Sequence, residues 1–246
     1  MTELRSTTRT ARVTGELVTL ALVALAAAAW WLTASMSADT MMTLMSLGAF
    51  LLAWVLMMTA MMLPAATPVV RLYQRAAAAG RVAPTGFFVT AYLVVWALTG
   101  LPTYLLWRAL AMPVMEGETW ALRLAGVLVL VAGAYQLTPL KQACLRHCRS
   151  PMSYFMRLQG SLHRPVGAFR AGLLHAAYCC GCCAALMVVL VAAASMNLWW
   201  AVLIALVVFV ERNLPWGSEF SKGFGVLLVV LGTAVVWHPP FLSNLM

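Results

Sequence analysis

Seven apolar runs alternate with short polar stretches along the chain, at residues 17–33, 44–63, 86–107, 121–138, 171–195, 198–214 and 223–237. A helix needs about 20 apolar residues, with a range of roughly 17–25, to cross the hydrocarbon of a bilayer. The runs therefore predict an all-α polytopic transmembrane helical bundle. The last run is the shortest, which leaves six spans as the alternative to seven. Helix breakers fall at or near the run boundaries, among them Gly80 with Pro84, Pro113 with Gly117, Pro139, Pro165, Pro215 and the Pro239-Pro240 pair. Residues 1–16 read as a polar, basic cytoplasmic tail and residues 17–246 as one transmembrane domain. The basic residues before the first run, with small residues from Ala34 to Ala38 after it, also resemble a signal peptide. An uncleaved first span is the preferred reading.

Composition sharpens this picture. With 63% hydrophobic residues, 9% charged residues and a mean hydropathy of +0.90, the chain falls outside the soluble globular class. The bilayer is its first partner. The net charge of +9 needs no nucleic acid to explain it, because basic residues of membrane proteins collect in cytoplasmic loops. With the N-terminus inside, all but Arg108 and Arg123 of the 16 lysines and arginines fall in inner segments. That asymmetry supports seven spans, N-in and C-out. Six cysteines in or beside such spans read as free thiols or metal ligands rather than as a disulfide framework.

Four of those cysteines crowd into His175-Ala-Ala-Tyr-Cys179-Cys180-Gly181-Cys182-Cys183. On a helix, His175, Cys179 and Cys182 fall within an arc of about 60°, and Cys183 widens it to roughly 100°. Cys180 points elsewhere. An imidazole and three thiols on one stripe form a soft-ligand constellation, although cysteine also packs well as a small apolar residue. Between spans four and five, Cys144, His147 and Cys148 share one face at i, i+3 and i+4 if the helix continues past Pro139. Two thiols and an imidazole at that spacing supply most of a tetrahedral or trigonal site. Neighbouring Lys141, Arg146 and Arg149 are expected to lower the thiol pKa values; a basic loop that binds anionic lipid is the plainer alternative. Topology puts this cluster at the inner face. His175 to Cys183 then lie about 6–18 Å along span five from the same face, so the two groups can converge.

The second span adds thioethers. Met57 with Met61 and Met58 with Met62 form two overlapping M-x-x-x-M pairs, each on one face. Thioethers suit Cu(I) and largely ignore zinc, magnesium and calcium; methionine also fills gaps in apolar cores. The pairs are similar to an element of eukaryotic high-affinity copper transporters over five residues. Met36, Met41, Met42, Met45, Met112, Met115 and Met196 are expected at or near the outer face. Methionines outside and thiols inside suit inward movement of a soft cation toward tighter ligands. Glu211 reads as the partner of a loop arginine, with a carboxylate ligand or a proton acceptor as the alternatives, and Tyr135, Gln136 and Thr138 as supporting hydrogen-bond partners or ordinary interhelical contacts. His163 and His238 read as solvated, and Gly181 as a site of close helix approach.

Three segments together resemble a bacterial family of predicted metal-binding integral membrane proteins of unknown function, often named copper chaperones. They are Trp54–Pro68 with its Ala60-Met61-Met62-Leu63-Pro64 core, Tyr135–Pro151 and His175–Met187; Met196-Asn197-Leu198-Trp199 and Glu211 near Pro215 fit the later pattern. The chain departs from the family at Cys180, commonly apolar there, and at Arg212, commonly lysine. The resemblance implies metal binding, a place in the bacterial inner membrane, and a small soluble metal-handling partner. It implies no reaction.

These readings converge on Cu(I) held by Cys144, Cys148, Cys179, Cys182 and Cys183, with His147 and His175 assisting and Met57, Met58, Met61 and Met62 as a passage. Zinc fits the cysteines and histidines and leaves the methionines as core. A membrane thiol-disulfide oxidoreductase using the Cys179-x-x-Cys182 pair is the enzymatic alternative, and haem ligation through His147 or His175 a further one. An inward-facing dithiol argues against the redox reading. With no P-loop and no phosphorylatable segment, metal movement would be passive, ion-coupled or partner-driven.

Overall fold

The computed structural model describes residue 16 and residues 20–35, 46–150, 155–156, 160–192 and 198–239. The predicted tail apart from residue 16, Arg157, and the outer methionines Met36, Met41, Met42, Met45 and Met196 lie outside the described residues. Among those described, every regular element is a helix: α1 (Leu20–Ser35), α2 (Leu47–Ala78), α3 (Thr85–Met115), α4 (Thr119–Gln136), α5 (Pro139–Arg149), α6 (Pro165–Ala192), α7 (Leu198–Asn213) and α8 (Gly217–Trp237). Five of them, α2, α3, α4, α6 and α8, are long and apolar enough to cross a membrane. The chain is a multi-pass membrane protein. The described parts of α1 and α7 are shorter.

Several helices overrun the apolar runs that announced them. α2 passes Leu63 and continues through Pro64 and Pro68 to Ala78. Proline removes a backbone donor, and Thr67, inside the proline segment, donates its hydroxyl to Leu63 O at 2.9 Å. α3 likewise runs through Pro102 and Pro113. The shortest predicted run is the C-terminal part of a 21-residue helix, α8, which starts at Gly217.

At Pro139 the helix breaks, where the sequence places a helix breaker, so the condition of a helix continuing past it is not met. α4 stops at Gln136, and Thr138 caps a new helix, its Oγ1 accepting from Lys141 N at 3.3 Å with Pro139 in the first turn. Cys144, His147 and Cys148 still share a helix, but α5 is free to lie across its neighbours rather than along α4.

In their most apolar windows α2 and α6 are 61% buried and α3 and α8 only 28%. α2 and α6 therefore form the centre of the bundle, while α3 and α8 turn residues such as Leu98, Leu105, Val226 and Val230 to the lipid. α4 and α8 pack backbone to backbone. A Cβ on Gly133 would stand 2.6 Å from Val229 N and 2.7 Å from Gly225 O, so only glycine permits this approach.

Candidate metal centre

α6 carries the ligand stripe. Its 28 residues turn His175, Cys179, Cys182 and Cys183 into the core, all 0% exposed, while Cys180 is half-buried on another face. The Sγ atoms of Cys179, Cys182 and Cys183 lie within 4.8 Å of one another, a spacing that can hold a metal ion. Cys182 Sγ sits 3.3 Å from Cys183 Sγ. α5 delivers a fourth sulfur, with Cys148 Sγ 3.6 Å from Cys182 Sγ. The two cysteine clusters do converge.

The charge around them is not the one expected. Arg146 is exposed, and Arg149 donates to Leu214 O at 2.6 Å and to Pro215 O at 3.0 Å, away from the sulfurs. Lys141 is fully buried. It forms an ion pair with Glu211 Oε2 at 2.6 Å and donates to Gln136 Oε1. Gln136 Nε2 donates in turn to Glu211 Oε1 at 2.9 Å. Glu211 thus pairs with a lysine of α5 and not with a loop arginine. Burial pushes the Cys144 thiol up from its ordinary value, the nearby Cys182 adds to this, and Lys141 only opposes it. Cys148 is held well above the usual thiol range because it hydrogen-bonds to Cys179 and Cys182, and burial adds to that. The expected lowering does not occur at these two thiols.

The cation at the sulfurs is Arg212, which is 5% exposed. Its Nη1 donates to Cys179 Sγ at 3.0 Å, and its Nη2 lies 3.4 Å from His175 Nε2. Among the described residues no carboxylate pairs with it, and its Nε has no hydrogen-bond partner. An arginine only donates, so the facing His175 nitrogen accepts and is turned to the guanidinium rather than held open toward the sulfurs. Phe88 and Tyr92 flank the imidazole at ring-centroid distances of 5.8 and 5.7 Å. Tyr92 also brings its hydroxyl to 3.2 Å from Cys179 Sγ. Sequence reasoning missed both Tyr92 and Arg212.

The other candidates lie around this centre. Cys144 is half-buried over α6, where a Cβ on Gly181 would stand 2.7 Å from its Sγ; Gly181 does allow a close approach. Tyr135 donates its hydroxyl to Gly181 O at 2.6 Å. His147 stacks on Tyr178 at 4.5 Å, its Nδ1 2.8 Å from Ala143 O. Met57, Met58, Met61 and Met62 are all buried on α2 in the hydrophobic core that also holds the thiols. Met112 and Met115 are exposed near the end of α3, and His163 and His238 are exposed as expected.

A family model described as copper chaperone, PpoB2, matches residues 51–235, well over half of the 246-residue chain. That range covers α3 to α7 and the cysteines and buried methionines of the site. No curated protein and no solved structure matches.

Proposed function

The chain belongs to the copper chaperone family, and from that premise we propose that it is a membrane protein that binds Cu(I) as cargo and hands it on. The carrying observation is the convergence of Cys148, Cys179, Cys182 and Cys183 from two helices in a site without exposed sulfur. Soft thiolates in low-coordinate surroundings favour Cu(I) over hard cations. Cu(I) bound by two thiolates carries one net negative charge, and the buried guanidinium of Arg212 supplies the opposite charge beside Cys179. A neutral assembly of that kind avoids leaving an uncompensated charge in the interior. The methionines of α2 share the same core, which supports a thioether passage through Met57, Met58, Met61 and Met62. A small soluble metal-handling protein is the expected donor or acceptor.

The test is the metal content of the full chain, purified in detergent without added metal and read by mass spectrometry. It is run beside a Cys179→Ser/Cys182→Ser variant. Copper near one equivalent in the wild type, lost in the variant, is the expected result. Zinc in its place overturns the copper reading and keeps a metal site. Metal-free protein whose cysteines titrate as disulfides overturns both and favours the redox alternative.

A further inference from the structure

Sulfurs with no exposed surface cannot exchange ligands with a donor protein directly. Cys179, Cys182 and Cys183 are 0% exposed and Cys148 is 3% exposed. Only Cys144 and Cys180 are half-buried, and they face different surroundings. Cys180 lines an apolar cavity of about 220 Å³ with Trp54, Trp96 and Met187. Cys144 rests on Gly181, the residue that separates Cys180 from Cys182. His147 and Tyr178, stacked and also half-buried, lie one turn away on the same two helices. From Cys144 the sulfurs then descend. Cys148 is the next turn of α5, its Sγ is 3.6 Å from Cys182, and Cys182 is 3.3 Å from Cys183.

Resting on the Cu(I) reading, we propose that Cys144 is the entry ligand of the site and no part of the resting ligand set. It accepts Cu(I) from a donor thiolate and passes it inward through Cys148 to Cys182. Each transfer forms one copper–sulfur bond to the incoming cysteine and breaks one to the outgoing sulfur. Copper remains Cu(I) throughout and no electron moves. The proton of the incoming thiol passes to the outgoing thiolate, so each exchange balances without another acceptor. Gly181 is required because any side chain there would displace Cys144 from the path.

The experiment supplies anaerobic Cu(I) as its bicinchoninate complex to the full-length, metal-stripped protein in detergent. Stopped-flow loss of the complex's colour gives the loading rate, and the endpoint gives stoichiometry. Cys144→Ser is expected to slow loading by about tenfold, the lower scale for losing one positioned group at a metal site, with an unchanged endpoint. Cys180→Ser is expected to load like the wild type. As a check free of folding effects, Cys180→Ser protein capped at Cys144 with a bulky maleimide should also load slowly to the same endpoint. Equal rates for Cys144→Ser and wild type overturn the entry role while leaving the buried site standing. A lowered endpoint in Cys144→Ser makes Cys144 a resident ligand and overturns the inference in the other direction. Failure of the wild type to take up Cu(I) overturns the functional reading itself.

Discussion

Arg212 sets the charge of the thiol cluster, and it does so from a position that costs much to occupy. A buried guanidinium without a carboxylate partner is tolerated only where some other anion offsets it, and the atoms it meets are Cys179 Sγ and His175 Nε2. Replacing it with glutamine should weaken Cu(I) binding about 10–100-fold, the range seen when an outer partner of a metal site is removed. Arg212→Lys keeps the positive charge and should retain most of the affinity. Competition with bathocuproine disulfonate measures both; equal losses in the two variants would mean that shape, not charge, is what Arg212 contributes. The cysteine stripe was legible in the sequence because i, i+3 and i+4 spacing within one helix needs no knowledge of packing. Arg212 was not, because it stands 33 residues from Cys179 at the end of an apolar run, where a basic residue ordinarily marks the membrane edge. Tyr92, 87 residues from Cys179, reaches the site only because α3 packs on α6, a choice that hydropathy does not encode. One signal was available. Glu211 and Arg212 are adjacent opposite charges at the inner end of an apolar run, and each needs its own buried partner.

At the level of helices, α5 determines whether the site has three sulfurs or four. It is short, and polar contacts hold it in place: Lys141 to Glu211 and Gln136, and Arg149 to the carbonyls of Leu214 and Pro215. Adjacent residues of α7 therefore serve two purposes, Glu211 anchoring α5 and Arg212 meeting α6. Lys141→Met leaves Glu211 as an uncompensated buried charge and should cost about 3–5 kcal/mol. Pairing it with Glu211→Leu alone still strands the Gln136 amide, whose oxygen and nitrogen both lose a partner. The triple change Gln136→Leu, Lys141→Met and Glu211→Leu should recover most of the loss. Denaturant unfolding in detergent reads this series; a double variant as stable as the triple would remove Gln136 from the network. The sequence located the helices but misplaced their ends. Hydropathy fades at Leu63 and Pro139 alike, yet α2 continues through its prolines while Thr138 and Pro139 together start a new helix, a difference set by local capping.

For the whole molecule, the side of the membrane on which α5 lies decides which compartment exchanges metal with it. Arg71 and Arg75 near the end of α2 and Arg149 at the end of α5 line one groove of about 430 Å³, so these helix ends share one side of the bundle. The turn between α3 and α4 at Gly117 lies a 31-residue helix away from Thr85, about 46 Å at 1.5 Å per residue, enough to reach the opposite side. The charge bias predicts that the arginine-lined side faces the cytoplasm. Alkaline phosphatase fused after Gly117 or His238 should therefore be active. Fusions after Gly80 and Gly160 should be inactive, with green fluorescent protein at those two points bright. Activity at Gly80 and Gly160 instead would invert the protein and turn Cys144 toward the outer compartment. Mixed activity at Gly117 and His238 would mean that the segment between them crosses the membrane a different number of times, with α7, the shortest apolar helix in that segment, the first to re-examine. The N-in, C-out result turns Cys144, and not the buried thiols behind it, toward a cytoplasmic partner, and only in that arrangement does a path from outer methionines to inner sulfurs run toward tighter binding.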